Sequence, residues 1–165
     1  MVRGEESGPH PRVLERIDVL TEAERKISKS VQFASYKVLS GHMTFEGRDV
    51  LEIGGAQSCE SMYPFLEGGA ASGVVSGLGH VTEESKSDRY NLRVIRADGL
   101  RLHEVFQPDS FDIVYGVSIV EHVPCPAIFV EQIHSVLRPG GIAFIQGGPL
   151  WSSPKGHHLW VSPTM

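Results

Sequence analysis

One short segment, residues 49–58, combines an acid with adjacent glycines in a pattern that could bind a ligand. Its sequence is DVLEIGGAQS, in which an apolar run from Val50 to Ile53 is interrupted only by Glu52. An apolar run of this length that ends in glycine predicts a buried strand followed by a tight turn. Glycine lets the backbone turn sharply and lets a ligand approach more closely than a Cβ would allow.

Glu52 is the second feature that indicates a ligand site. Burying an acid near the end of a strand costs free energy unless a partner or a ligand binds it. Together, the strand, the acid, the glycine turn and a following helix predict a nucleotide-type ligand site at the carboxyl end of a parallel sheet. The same residues also fit a turn with a purely structural role.

Histidine is the side chain best suited to act as a general base near neutral pH. His122 follows an apolar run that reads as a strand, whereas His157 and His158 lie near the end of the chain. His122 and His157 are the candidate catalytic residues, although a structural or solvent-exposed role is the more common one for such histidines. The pair His157 and His158 lacks the further ligands that a metal site needs, so no metal is predicted.

The composition restricts the classes of function that are open. The chain has 165 residues, 41% of them hydrophobic and 21% charged, with a formal net charge of −5. These values are typical of one globular domain and argue against a nucleic-acid-binding surface. No apolar run is long enough to span a bilayer, and residues 1–12 lack the apolar core of a signal peptide. With only two cysteines, Cys59 and Cys125, we expect a cytoplasmic protein with reduced thiols.

The elements that must position the site alternate between helices and strands. A capping box formed by Thr21 and Glu24 predicts a helix over residues 22–40 that ends at Gly41. Its apolar residues recur at helical spacing, at Ile27, Val31, Ala34 and Val38. Pro64 suits the first turn of a second helix that begins near Ser61. A third helix is predicted over residues 127–137, with its apolar side formed by Phe129, Val130, Ile133, Val136 and Leu137.

Five apolar runs predict strands, over residues 50–53, 73–78, 92–95, 111–117 and 142–145. The proline and glycines of residues 138–141 are expected to end the third helix before the last strand. This alternation favours a parallel sheet that is covered on both faces. The predicted organisation is a disordered lead over residues 1–11, a domain over residues 12–148 and an irregular tail over residues 149–165.

In four segments the chain resembles the class I S-adenosylmethionine-dependent methyltransferases, and most closely those that act on small molecules and saccharides. The segments are Val50-Leu51-Glu52-Ile53-Gly54-Gly55, Ala97-Asp98-Gly99, Phe111-Asp112-Ile113-Val114 with Glu121-His122-Val123, and Leu137-Arg138-Pro139-Gly140-Gly141. The resemblance implies an α/β fold, a Rossmann-like three-layer sandwich with a parallel sheet in the order 3-2-1-4-5. It also implies S-adenosylmethionine as the cofactor.

The resemblance assigns cofactor-binding roles by position. Glu52, Gly54, Gly55, Ala56 and Gln57 would shape the pocket for the methionine half of the cofactor. The adenine amino group would donate a hydrogen bond to the carboxylate of Asp98, beside the backbone of Gly99 and Leu100. The sulfonium would lie against Gly116 and Val117.

The chain departs from the family pattern at three places. Ala56 and Ser58 replace glycines of the turn, and Gly79 stands where the family carries an acid that binds both ribose hydroxyls. The family's last two strands are also lacking after residue 148, so the chain would be a fragment or a naturally short domain. The strand over residues 142–145 is therefore expected to be an edge strand, and we predict that the tail covers it.

The leading functional hypothesis is a methyltransferase that acts on a small-molecule or saccharide acceptor, without nucleic-acid or membrane partners. The alternative is a non-catalytic or degenerate methyltransferase-like domain that binds cofactor weakly or not at all. A dinucleotide-dependent dehydrogenase is disfavoured, because residues 54–58 lack the G-x-G-x-x-G pattern.

Overall fold

The computed structural model describes residues 31–79, 81–87 and 89–148, and these residues form a six-stranded sheet flanked by helices. The strands lie in the order β3-β4-β2-β1-β5-β6. All neighbours are parallel except β3, which pairs with β4 in the antiparallel sense. The strands are β1 (Asp49–Ile53), β2 (Ser72–Gly77), β3 (Ser85–Ser87), β4 (Leu92–Arg96), β5 (Phe111–Val117) and β6 (Leu137–Gln146).

The described helices cover both faces of the sheet. They are α1 (Val31–Ser40), α2 (Tyr63–Glu67) and α3 (Pro126–Val136), with 3-10 turns at Glu60–Met62, Leu102–Glu104 and Val120–His122. Successive residues of a strand point to opposite faces, and β1 shows this directly. Val50 packs with the α1 and α2 side chains Leu39 and Phe65, while Leu51 packs with Phe129 of α3 on the other face.

The five parallel strands follow the order expected from the sequence, but β3 is an addition that the sequence analysis missed. At only three residues, Ser-Lys-Ser, β3 is too short and too polar to give an apolar strand signal. The chain moves outward from β1 through β2 to β4, and then returns to the other side of β1 to form β5 and β6. The carboxyl ends of β1 and β5 therefore flank the point where the strand order reverses, which is where open α/β sheets bind ligands.

Three details of the predicted elements are wrong. Helix α1 ends at Ser40 as expected, but Ala34 and Val38 are exposed, and the helix buries Ser35 and Leu39 instead. Its predicted portion before residue 31 lies outside the described residues. In α3, Phe129, Ile133 and Val136 form the buried face of the helix. Val130 lies off this face and is 62% exposed.

Strand β6 begins at Leu137, five residues earlier than predicted, so Leu137 is not part of the helix. Gly140 adopts a positive φ of 80°, and the register with β5 shifts between Phe111 and Ile113. This irregularity allows the strand to continue through the glycines. Strand β6 is the edge of the described sheet, as expected. The tail that we predicted to cover it lies outside the described residues. Within the described ranges no helix is both long and apolar enough to cross a lipid bilayer.

Candidate functional site

A cavity of about 420 Å³ opens at the carboxyl ends of the parallel strands, beside the reversal of strand order. Its size is within the range of small-molecule sites. Its walls come from the ends of β1, β2, β4 and β5 and from one ring of α3. The lining residues are Ile53, Gly54, Gly55, Gly77, Leu78, Gly79, Ala97, Asp98, Gly99, Leu100, Ser118, Ile119, His122, Val123, Pro124 and Phe129.

The glycine turn after β1 is held tightly against the end of β2. Gly54 has a φ of 81°, in the left-handed region that favours glycine. The backbone amides of Gly54 and Gly55 both donate to the carbonyl of Ser76, at 2.8 and 3.0 Å. On the β2 side, a Cβ at Gly77 would lie 2.7 Å from the Gly55 carbonyl oxygen. The glycines therefore let two strand ends approach backbone to backbone at the floor of the cavity.

The side chain of Ile119, a residue not predicted from the sequence to lie at the site, covers this turn. Its Cδ1 lies 2.8 Å from where a Gly54 Cβ would be, and its Cγ2 lies 3.1 Å from the corresponding position at Gly116. The preceding residue, Ser118, has a φ of 55°, and its amide donates to the carbonyl of Gln146 at 2.7 Å. Neither the conformation of Ser118 nor the direction of Ile119 has a residue-type signal in the sequence.

The opposite wall is the turn Asp98-Gly99-Leu100, which follows β4. Oδ1 of Asp98 accepts a hydrogen bond from the backbone amide of Leu100 at 2.9 Å, which fixes the turn. A Cβ at Gly99 would lie 2.8 Å from the ring of Phe129. The backbone is thus pressed against α3, and the second carboxylate oxygen of Asp98 remains to accept a hydrogen bond from a ligand.

Glu52 lies behind the cavity and does not line it. Its side chain is 5% exposed, and Ser61 Oγ lies 2.7 and 2.6 Å from its two carboxylate oxygens. Burial raises the pKa of Glu52 to about 7, although the hydrogen bond from Ser61 acts in the opposite direction. The charge of Glu52 also helps to raise the pKa of the neighbouring Tyr115 hydroxyl, after the larger effect of burial.

The side chain of Gln57 makes contacts with the loop after β2. Its Oε1 accepts hydrogen bonds from the amides of Thr82 and Glu83 at 3.1 and 3.3 Å. Its Nε2 donates to Ser85 Oγ at 3.3 Å, at the start of β3. These contacts join the turn after β1 to the loop after β2.

Three further predicted residues, Ala56, Gly116 and Val117, are also not among the lining residues. Gly116 lies under Ile119, and Val117 is 7% exposed in the core on the α1 face. The structure therefore brings Gly54, Gly55, Gly79, Asp98, Gly99, Leu100 and His122 to one cavity.

The candidate bases differ in what the structure shows. His122 is exposed and lines the cavity at the end of the 3-10 turn Val120–His122. His157 and His158 lie outside the described residues. The adjacent Glu121 is 6% exposed and packs beside Gly147, at the end of β6, and is not part of the lining. Within the described ranges no cluster of three or more His, Cys, Asp or Glu side chains could hold a metal ion.

Comparison with known proteins identifies the relatives of this domain. Residues 75–145 match the protein family described as "Methyltransferase domain". The ubiquinone biosynthesis O-methyltransferase of Neisseria meningitidis serogroup C is 29% identical over 134 residues, which is 75% of this chain and 53% of that protein. The enzyme of the same name from Maricaulis maris is 30% identical over 63% of this chain and 42% of its own length. The chain thus spans about half the length of these curated relatives.

Solved structures agree on the fold. An S-adenosylmethionine-dependent methyltransferase from Mesorhizobium loti superposes with a TM-score of 0.57 at 18% identity, over 72% of this chain and 53% of that one. A putative methyltransferase of Haloferax volcanii, solved with the Trm112 methyltransferase activator, gives a TM-score of 0.57 at 18% identity. The match covers 88% of this chain and 61% of that one. The chain therefore has the fold of S-adenosylmethionine-dependent methyltransferases, and residues 75–145 match the methyltransferase domain.

The similarity to methyltransferases implies S-adenosylmethionine as cofactor, and the residues of the cavity can be compared with the chemistry of that group. At the adenine end the fit is good, since Asp98 offers a carboxylate oxygen beside the close-packed Gly99. At the floor, Gly54 and Gly55 line the cavity with backbone alone, and Gly54 is exposed. At the ribose end the fit differs from that of the family, because Leu78 and Gly79 form the wall there.

Proposed function

We propose that this chain is the cofactor-binding part of a methyltransferase that transfers a methyl group from S-adenosylmethionine to a small-molecule acceptor. One observation carries the proposal: the cavity at the strand reversal unites the glycine turn with the Asp98-Gly99-Leu100 turn. When bound, the cofactor supplies a methyl group already activated by its sulfonium. The chain's own part is then to bind the nucleoside and to orient the methyl group toward the acceptor.

We further propose that the acceptor atom is a hydroxyl oxygen of a small molecule. The relatives named above are O-methyltransferases of ubiquinone biosynthesis, and these names favour an aromatic hydroxyl over a saccharide as the first acceptor to test. An aromatic hydroxyl must lose its proton as the new C–O bond forms. His122 is our candidate for accepting that proton, because it lines the cavity and histidine is the side chain best suited to general base catalysis.

Calorimetric titration with S-adenosylmethionine and its demethylated product, S-adenosylhomocysteine, tests the cofactor part of the proposal. We expect saturable binding of both, and no binding of NAD as a matched nucleotide control. Methyl transfer to a catechol is then followed by mass spectrometry, and a His122→Gln variant should lose turnover while it keeps its affinity for S-adenosylhomocysteine. Absence of cofactor binding by the intact chain would refute the proposal.

A non-catalytic methyltransferase-like domain is the second candidate, and the wall formed by Leu78 and Gly79 is the observation that favours it. A domain that has lost a charged contact to its cofactor could keep the fold and lose the reaction. Saturable binding of S-adenosylmethionine without methyl transfer to catechol would select this candidate.

A further inference from the structure

The end of β2 presents an apolar and open wall to the cavity. Leu78 is 51% exposed there, and it is followed directly by Gly79. A Cβ at position 79 would meet no atom within 4 Å, and its φ lies outside the left-handed region. Nothing in the described surroundings therefore requires glycine at this position, for reasons of either space or backbone conformation.

This position matters because of the chemistry of a ribose. In nucleotide-binding α/β folds an Asp or Glu after the second strand accepts hydrogen bonds from the ribose hydroxyls. A carboxylate suits this role since its two oxygens accept two donors, and charge-assisted hydrogen bonds are the stronger kind. Here the wall of the cavity at the same place carries Leu78 and Gly79, neither of which has a polar side chain.

The described loop after β2 carries two carboxylates, Glu83 and Glu84, and Gln57 holds the backbone of this loop. Glu83 and Glu84 are exposed and do not line the cavity. Gln57 binds the backbone of Thr82 and Glu83 and the side chain of Ser85. Ser85 then begins β3, which pairs with β4 at the outer edge of the sheet. These contacts hold the loop at the outer edge of the sheet. Val81, which is 1% exposed, packs in the core and fixes the start of the loop.

We infer that none of the carboxylates within residues 31–79, 81–87 and 89–148 binds the ribose of the nucleoside ligand, so that the domain discriminates little between a ribose and a 2′-deoxyribose. Affinity then comes from the adenine end, at Asp98 and Gly99, and from the glycine floor. The inference rests on the proposed function and deepens it, because it states which part of the cofactor the cavity recognises.

The first experiment compares two ligands by calorimetric titration of the intact chain. The probes are S-adenosylhomocysteine and its 2′-deoxy analogue, which differ by one hydroxyl. We expect their dissociation constants to agree within about threefold. A preference of tenfold or more for the ribose form would overturn the inference while leaving the proposed function standing, since it would show that some group does bind the hydroxyls. Binding of neither probe would refute both.

The second experiment adds the carboxylate. Gly79→Asp should increase the affinity for S-adenosylhomocysteine about tenfold and that for the 2′-deoxy analogue clearly less, because the analogue keeps only one of the two hydroxyl donors that the new carboxylate accepts. Gly79→Asn has the same shape without the charge and should give a smaller gain. Gly79→Ala controls for the added Cβ and should show no gain that is selective for the ribose form. If Gly79→Asp binds both ligands as the wild type does, position 79 does not face the ribose and the inference is wrong.

Discussion

The guanidinium of Arg138 lies 2.7 Å from a carboxylate oxygen of Asp112, at the amino ends of β5 and β6. Arg138 also reaches Asp49 at 2.8 Å, and the amide of Asp49 donates to Asp112 at 2.9 Å. Three parallel strands are thus tied together at the end of the sheet opposite the cavity. Asp112 and Arg138 belong to two of the four segments that carry the family resemblance, and their role here is structural.

Replacing Arg138 by Met should lower the free energy of unfolding by about 1 kcal/mol, because the guanidinium is more than one-third exposed and the solvent weakens its ion pairs. The affinity for S-adenosylhomocysteine should remain within twofold of the wild type, since the change is made at the far end of the strands. Urea unfolding and calorimetry measure the two quantities. A large loss of affinity without loss of stability would contradict a purely structural role.

Titration of Glu52 should make the free energy of unfolding of this domain depend on pH. Its pKa rises from 4.5 in the unfolded chain to about 7 in the folded domain, so the folded state binds the proton more tightly. The stability associated with that proton is fully present below pH 4.5 and is lost as the pH rises to about 7. The loss is on the order of 3 kcal/mol, from the difference between the two pKa values.

Substitution of Glu52 by Gln should abolish this dependence, because the amide does not titrate. The wild type should therefore lose stability from pH 5 to pH 8, whereas the stability of Glu52→Gln should stay constant. Urea unfolding at the two pH values measures the difference. Ser61→Ala is the matched comparison: it deletes the hydrogen bond that lowers the pKa of Glu52 and should extend the loss to higher pH. Parallel pH profiles for the wild type and Glu52→Gln would exclude Glu52 as the titrating group.

Replacing Gly77 or Gly79, on the same wall of the cavity, by alanine should change the free energy of unfolding by different amounts. Gly77→Ala would place a Cβ 2.7 Å from the Gly55 carbonyl oxygen, a backbone atom that cannot turn away. We expect a loss of about 1–3 kcal/mol in the free energy of unfolding, typical of overpacking. Gly79→Ala meets no atom within 4 Å and should be neutral or slightly stabilising. Equal effects in thermal unfolding would show that the two strand ends are not packed as described.

Sequence reasoning found the backbone elements of the site because they depend on local patterns. An apolar run that ends in glycine gave β1 and its turn, and the pair Asp98-Gly99 gave the opposite wall. It misplaced side chains whose direction depends on the fold. Glu52 shares a strand face with Val50, so it points toward the α1 face, whereas Ile53 points toward the cavity.

Other features of the site arise only from tertiary contacts. Ile119 reaches the glycine turn because Ser118 takes a positive φ and binds β6, a conformation that β-branched and most other residues avoid. Gln57 binds a loop 25 residues away in the chain. No local pattern indicates either contact, since both depend on how two strand ends meet in space.

Asp98 has two functions that its variants can separate. One carboxylate oxygen fixes the turn by accepting the Leu100 amide at 2.9 Å, and we propose that the other accepts the adenine amino group. Asp98→Ala should remove both acceptors and lower both stability and the affinity for S-adenosylhomocysteine, the latter by about 10- to 100-fold.

Asp98→Asn keeps one oxygen for the turn and presents a donor amide in place of the second oxygen, which would face the donor amino group of adenine. This variant should retain the wild-type stability but bind S-adenosylhomocysteine about as weakly as Asp98→Ala. Calorimetry and urea unfolding on the same samples give both quantities. If Asp98→Asn instead binds like the wild type, while Asp98→Ala loses affinity in step with stability, Asp98 only shapes the turn and the adenine must be recognised elsewhere in the cavity.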